Sequence, residues 1–171
     1  MDFFDLIKSR VSVRDYNPNI KIEKEILLKI AEAGRIAPSA ANRQPWKFLF
    51  VSSAEILDKV RPCYHRQWFK DAPHILIVVG YNDKSWVRQD GYNSLETDLT
   101  IAMDHMILAA ESLNIGTCWI AAFDNDILRK ALELKEDEIV YCITPLGYQS
   151  EKYQKSSEKV RKSINEVTEF I

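Results

Sequence analysis

Residues 94–113 constrain the fold most, because apolar side chains recur there on nearly every side of a predicted helix. The apolar members are Leu95, Leu99, Ile101, Ala102, Met103, Met106, Ile107, Ala109 and Ala110. A helix with this pattern has to be covered by its own domain or by another subunit. The segment therefore predicts a long buried helix, either in the core or in a subunit interface.

The other periodic segments predict a sheet and shorter helices around that helix. The β-branched run at residues 75–79 is typical of a strand buried on both faces. Further strands are predicted at residues 48–51, 117–120 and 139–146, and further helices at residues 2–8, 22–36, 54–60 and 124–132. A chain of 171 residues is long enough for one ordinary core. We therefore expect one α+β domain over residues 1–171, with a mixed β-sheet core flanked by helices.

Composition argues against several classes of partner. A net charge of −2 gives no electrostatic reason to bind nucleic acid or an anionic membrane. No apolar run is long enough to span a bilayer, and the acidic start is unlike a signal peptide. Three separated cysteines without a CxxC pair favour free buried thiols. The expectation is a cytoplasmic protein without a metal site.

Glycine is scarce, which restricts how a phosphate could be bound. The five glycines lie at positions 34, 80, 91, 116 and 147, and no two are closer than eleven residues. A GxGxxG turn and a P-loop both need clustered glycines, so neither can form. A phosphorylated cofactor would have to be held by cationic side chains.

Three segments could carry chemistry. In an extended chain Arg10, Ser12 and Arg14 point to one side, where two guanidiniums and a hydroxyl suit a phosphate or an electron-rich ring edge. Residues 37–46 (APSAANRQPW) form a rigid loop able to hydrogen-bond a flavin or base edge. Residues 114–124 would let a planar ligand lie against the main chain. Each segment also has a purely structural interpretation. The first could be a solvated charged stretch, the second a plain helix-to-strand connection, and the third a region of close packing.

The end of the chain changes in composition. Residues 149–163 are almost wholly polar, which is typical of a disordered segment. Ile164, Val167, Phe170 and Ile171 follow, however, and such an apolar ending needs a surface to cover it. A partner chain is one such surface.

Taken together, the motifs resemble the nitroreductase family. They are RxSxR from residue 10, PSxxNxQPW from residue 38, Gly-Thr at 116, AFD at 122–124 and a late KxR at 159–161. Their order and separations match the family over essentially the whole chain. The resemblance implies an intertwined homodimer with a long buried interface helix, FMN bound between the subunits, and residues 149–171 wrapped onto the partner.

The resemblance also implies which residues bind the phosphate end of FMN. By position, Arg10 and Ser12 contact the phosphate and the ribityl chain. Lys159 and Arg161 close on the same phosphate, which gives the polar tail a role. Arg14 approaches the flavin pyrimidine edge, where negative charge accumulates on reduction.

Other positions correspond to the family's contacts with the flavin ring. From the other subunit, the residues expected to line the ring are Pro38, Ser39, Ala40 and Asn42. The backbone of Ala121 and Ala122 is expected to face flavin N5. This chain departs from the family pattern at those two alanines and at Asn114, where members often carry glycine, but the backbone N–H groups remain. His65 and Trp68 fall near the position of a polar contact in larger members.

The function implied is transfer of electrons from NADH or NADPH, through FMN, to a small organic acceptor such as a nitroaromatic or a quinone. Donor and acceptor would share one pocket, which predicts ping-pong kinetics, and no side chain need act as a catalytic acid. The alternatives are a flavin enzyme of this fold with another reaction or donor (a dehalogenase or a ferredoxin-fed reductase), a non-catalytic flavin-binding protein, and a flavin-free interaction domain.

Overall fold

The helices and strands lie close to their predicted positions. The structure is a computed structural model that describes residues 2–155 and 159–171. In chain order its elements are α1 (Phe3–Ser9), α2 (Lys24–Arg35), β1 (Trp46–Val51), α3 (Ala54–Val60), α4 (Gln67–Asp71), β2 (His74–Tyr81), α5 (Leu95–Ser112), β3 (Gly116–Thr117), α6 (Asn125–Ala131) and β4 (Glu138–Gly147). The α+β class is confirmed. Helix α4 was not predicted.

The four strands form one sheet in the order β1-β2-β4-β3. All three strand pairings are antiparallel, with Trp46 opposite Gly80 and His74 opposite Leu146. Parallel pairing in the described chain is limited to one bridge, between Ser12 and Thr117. The expected mixed sheet is therefore antiparallel in its named strands, and the chain segment near residue 12 supplies its parallel component.

The strand predicted at residues 117–120 is wrong in its extent. Only Gly116 and Thr117 continue the ladder with β4, while Ile120 forms an isolated bridge to Ile143. Between them, the Cys118 N–H donates to the Thr144 hydroxyl at 3.0 Å instead of to a backbone carbonyl. This side-chain acceptor interrupts the regular pairing.

Helix α5 is the central helix that the sequence predicts. Leu99, Met103, Met106 and Ala110 are completely buried in a cluster that includes side chains of α2, β2 and β4. A second cluster on the other face of the sheet packs α3 and α6 against β2. The sheet thus has a helical layer on each face, with α5 and α2 on one side.

His74, at the start of β2, links three separate parts of the chain. Its side chain is 2% exposed, Nδ1 lies 2.7 Å from the Ser52 hydroxyl, and Nε2 accepts the Ile22 N–H at 2.9 Å. Burial, together with the nearby charge of Lys21, lowers the pKa of His74 below its usual 6.5. The imidazole is therefore neutral in the native protein, because a protonated Nε2 could not accept the Ile22 hydrogen bond.

We expect the protein to lose stability as the pH falls from 7 to 5, in part through His74. The unfolded chain gains a proton near pH 6.5 whereas native His74 resists it, so its contribution is complete above that pH and is lost below it. His74→Gln should flatten the dependence of the melting temperature on pH over this range. Equal slopes in the native protein and His74→Gln would contradict the assignment.

Candidate functional site

The segment after α1 is extended and is held against β3. The Val13 N–H donates to the Thr117 carbonyl at 2.8 Å, and the Val13 side chain is completely buried. Gly116 makes this approach possible, because a Cβ there would lie 2.9 Å from Val13 Cγ1. With Val13 facing inward, extended geometry directs Ser12 and Arg14 away from the core.

Beside this segment is a cleft of about 330 Å³, here called the basic cleft. It is lined by Arg10, Val11, Ser12, Arg14, Lys159, Val160 and Arg161. The structure thus brings together all five residues that the resemblance assigns to the phosphate and pyrimidine contacts. They come from two ends of the chain, and among residues 2–155 and 159–171 the lining has four cations and no carboxylate.

The cations of the basic cleft repel one another. Lys159 Nζ donates to the Ile7 carbonyl at 2.9 Å, near the end of α1, and is thereby held close to Arg10. Burial, and then the charges of Arg10 and Arg161, lower the pKa of the Lys159 amine. An anion bound among these groups would relieve that repulsion, because opposite charges favour the protonated amine.

A buried carboxylate ties the polar tail to α5. Glu111, in the last turn of α5, is 8% exposed, accepts a hydrogen bond from the Ser9 hydroxyl at 2.8 Å and forms an ion pair with Lys155. An acidic group near a helix C-terminus is disfavoured by the helix dipole, so this position needs its cationic partner. The pair holds residue 155 beside α1 and α5, four residues before Lys159.

The predicted loop between α2 and β1, residues 38–45, is here called the Pro38 loop. Ala41, Asn42 and Gln44 have φ values of 48°, 52° and 48°, a left-handed conformation that is uncommon without glycine. Inside the loop, the Gln44 N–H donates to the Ser39 hydroxyl at 2.9 Å. None of Pro38, Ser39, Ala40 and Asn42 lines the basic cleft of the same chain.

The third segment also lies outside the basic cleft. Asn114 ends α5 with a φ of 59°, so it supplies the left-handed residue where glycine is common. Ala121 and Ala122 are exposed. The turn after them is fixed because Asp124 caps α6 and its N–H donates to the Cys63 carbonyl at 2.8 Å.

The three cysteines are free and buried, as the sequence indicated. Burial raises the pKa of Cys63 and of Cys142 to about 12. Burial also raises the pKa of Cys118, although Arg14 lies near it. None of these thiols is a nucleophile near neutral pH, since that requires the thiolate.

In residues 2–155 and 159–171, no group of three or more His, Cys, Asp or Glu side chains is arranged to hold a metal ion. None of the helices in that part of the chain is both long and apolar enough to cross a membrane.

Sequence reasoning missed two buried carboxylates, Asp98 and Glu111, because α5 was read as an apolar helix. Asp98 lies three residues after Leu95 and four before Ala102, which places it on the buried side of α5. That spacing could have identified it. Nothing in the sequence shows that Lys155 is the partner of Glu111.

His65 and Trp68 both pack against Tyr64, with ring centroids 5.6 Å and 5.5 Å away. They therefore belong to an aromatic cluster at α4.

Comparison with known proteins agrees with the fold and the motifs. Residues 7–68 and 61–148 match the Nitroreductase family model. A Methanothermobacter thermautotrophicus protein named NADH dehydrogenase/NAD(P)H nitroreductase is 31% identical over 156 residues, which is 88% of this chain and 79% of that protein. The crystal structure of a nitroreductase family protein from Clostridium difficile 630 has a TM-score of 0.91 at 33% identity, covering 99% of this chain and 98% of that one.

A second similar structure is that of a protein whose name includes its cofactor. An FMN-dependent nitroreductase from Clostridium difficile R20291 has a TM-score of 0.77 at 26% identity, with 90% of this chain and 91% of that chain covered. The family match spans most of the chain, and the relatives agree with it in sequence, length and fold. The chain therefore belongs to the nitroreductase family.

Proposed function

We propose that this protein is an FMN-dependent oxidoreductase that transfers electrons from NADH or NADPH to small organic acceptors such as nitroaromatics and quinones. The observation that carries the proposal is the basic cleft, in which four cations and the Ser12 hydroxyl converge, with no carboxylate among the described residues that line it. Charge-assisted hydrogen bonds of this kind are the usual grip on a phosphate group. The relatives named as NAD(P)H and FMN-dependent nitroreductases support the choice of donor and cofactor.

The residues present fit the phosphate end of FMN. Burial, and then the charges of Arg10 and Arg161, lower the pKa of Lys159, and a phosphate dianion would balance the positive charge of these groups. The cleft, at about 330 Å³, is near the lower limit of ligand pockets, so it suits the phosphate and ribityl chain and not the whole cofactor. The flavin ring would therefore lie against other surfaces, for which the Pro38 loop and the backbone at Ala121 and Ala122 are the candidates.

A homodimer would bring these surfaces to one site. We propose that the Pro38 loop of one protomer covers the ring held by the basic cleft of its partner, and that the end of the expected segment 149–171, residues 164–171, packs on the partner. The beginning of that segment instead contacts its own chain, where Lys155 forms an ion pair with Glu111. The support is the exposed apolar end of the chain, where Val160 is 87% exposed and Phe170 and Ile171 are almost fully exposed. Phe3 and Phe4 of α1 are exposed as well. Apolar surface of this extent is typical of an interface.

Each group of residues has a defined task in the proposed reaction. Bound FMN would supply the two-electron redox chemistry that connects the nicotinamide to the acceptor. Arg10, Ser12, Lys159 and Arg161 hold the phosphate, while Arg14 offers its guanidinium to the pyrimidine edge and stabilises negative charge there. No side chain is assigned a proton-transfer step. Donor and acceptor use one place in turn, so the kinetics are ping-pong.

The visible spectrum of the purified protein tests this proposal. Under argon, we expect a flavin spectrum that NADH or NADPH bleaches within seconds, and a nitroaromatic or a quinone should then restore it. A colourless preparation that does not take up added FMN would contradict the cofactor. A bound flavin that neither nicotinamide reduces would contradict the electron donor and favour another reaction on the same fold.

A further inference from the structure

Asp98 is a buried carboxylate that contacts the Pro38 loop. It lies in the first turns of α5 and is 2% exposed. Oδ1 accepts the Ala40 N–H at 2.9 Å, and Oδ2 accepts the Ser94 hydroxyl at 2.9 Å. Burial of a carboxylate is costly unless its oxygens are hydrogen-bonded, and these two bonds offset that cost.

The loop that Asp98 contacts is conformationally strained. Left-handed backbone at Ala41, Asn42 and Gln44 persists only when the surrounding structure determines it. In the described part of the chain, three hydrogen bonds join the loop to other elements: Ala40 to Asp98, Trp46 to the Gln44 carbonyl, and Tyr81 to the Pro45 carbonyl. The last two lie at the far end of the loop, where β1 begins. Asp98 therefore holds the residue that immediately precedes the strained part.

We infer that Asp98 is a positioning residue for the proposed site: its carboxylate fixes Ala40 and thereby sets the conformation in which Ser39, Ala40 and Asn42 meet the flavin ring. The contact with the ring rests on the proposed function, whereas the control of the loop does not. An apolar side chain at this position would suit the surrounding core, which contains Leu95 and Leu99. The carboxylate is thus explained by what it holds and not by core packing.

Limited proteolysis measures the loop without reference to the flavin. Arg43 is exposed in the Pro38 loop and is followed by Gln44, so trypsin can cut there when the loop opens. Lys59, in α3, precedes the buried Val60, and cleavage after it requires wider unfolding. The ratio of the two cleavage rates separates loop release from general destabilisation.

We expect this ratio to rise about tenfold or more in Asp98→Ala, because a hydrogen bond to a charged group is lost. Asp98→Asn keeps one carbonyl acceptor, so the rise should be smaller but measurable. Ser94→Ala is the matched control, since it removes the other hydrogen bond of Asp98 and leaves Ala40 held. Its ratio should remain that of the native protein. An unchanged ratio in both Asp98 variants would overturn the inference.

The bound flavin supplies the second readout, in the protein as purified. In Asp98→Asn we expect an altered visible circular dichroism spectrum of the flavin, while the melting temperature stays close to that of Ser94→Ala. A flavin spectrum identical to the native one, in a variant whose loop is released, would overturn the contact between loop and ring. A native protein without flavin would defeat the proposed function, and the cleavage ratio would still decide whether Asp98 controls the loop.

Discussion

FMN binding is expected to weaken about a hundredfold when Lys159 and Arg161 are both replaced by alanine, because each charge-assisted contact contributes at least about 1.5 kcal/mol. Both side chains line the basic cleft, in which Arg10 and Ser12 would remain. Riboflavin lacks the phosphate, so its affinity should hardly change. Fluorescence titration of the apoprotein with FMN and with riboflavin, at one salt concentration, measures both constants.

The matched control is the double variant Lys152→Ala, Lys162→Ala. It removes the same charge from the same segment, at exposed positions that do not line the basic cleft. Its FMN affinity should fall far less, since long-range attraction is screened at physiological salt. Two results would contradict a phosphate-binding role for these residues. One is an equal loss of affinity for FMN and for riboflavin when Lys159 and Arg161 are replaced. The other is an equal loss of FMN affinity in that variant and in the control.

The second large effect concerns assembly. We expect the native protein to sediment as a dimer, and a variant with serine at Ile164, Val167, Phe170 and Ile171 to sediment as a monomer at micromolar concentration. These side chains are 60% exposed or more in the single chain, and burial of each contributes roughly 1.5–3 kcal/mol. Two copies would bury them in one dimer, so the loss per dimer is doubled.

The control is the double variant Asn165→Ala, Glu169→Ala, because it changes polar residues of the same segment and keeps the apolar ones. This variant should remain dimeric. A native protein that sediments as a monomer would contradict the dimer itself. A serine variant that dimerises as tightly as the native protein would show that the end of the chain is not part of the interface.

Much of the fold was predictable because the longest elements have unambiguous patterns. The β-branched run at residues 75–79 and the apolar residues of 94–113 are found as β2 and α5, with ends shifted by one or two residues. Helix α4 has five residues and no side-chain cap, so neither periodicity nor a capping residue marked it. The strand at residues 117–120 failed because the Thr144 hydroxyl, far away in sequence, takes the place of a backbone acceptor.

The site was predictable where local geometry determines it. Alternation along an extended chain was enough to group Arg10, Ser12 and Arg14, whereas Lys159 and Arg161 could be added only through the resemblance to the nitroreductase family. The partners of Asp98 and Glu111 depend on tertiary packing, since Ala40 and Lys155 are 58 and 44 residues away along the chain. Pairwise contacts at such separations have no periodic signature in a single sequence.

The left-handed residues of the Pro38 loop restrict how this protein could be re-engineered for new acceptors. In libraries that randomise positions 41, 42 and 44, most variants would carry side chains that the backbone does not tolerate. Valine, isoleucine and threonine are the least compatible with a positive φ, while asparagine, aspartate and glycine are accepted most readily. A reduced codon set of alanine, asparagine, aspartate and glycine at these positions would keep the loop conformation. Wider diversity belongs at Pro38, whose backbone is not left-handed, while Ser39 is kept because its hydroxyl accepts the Gln44 N–H.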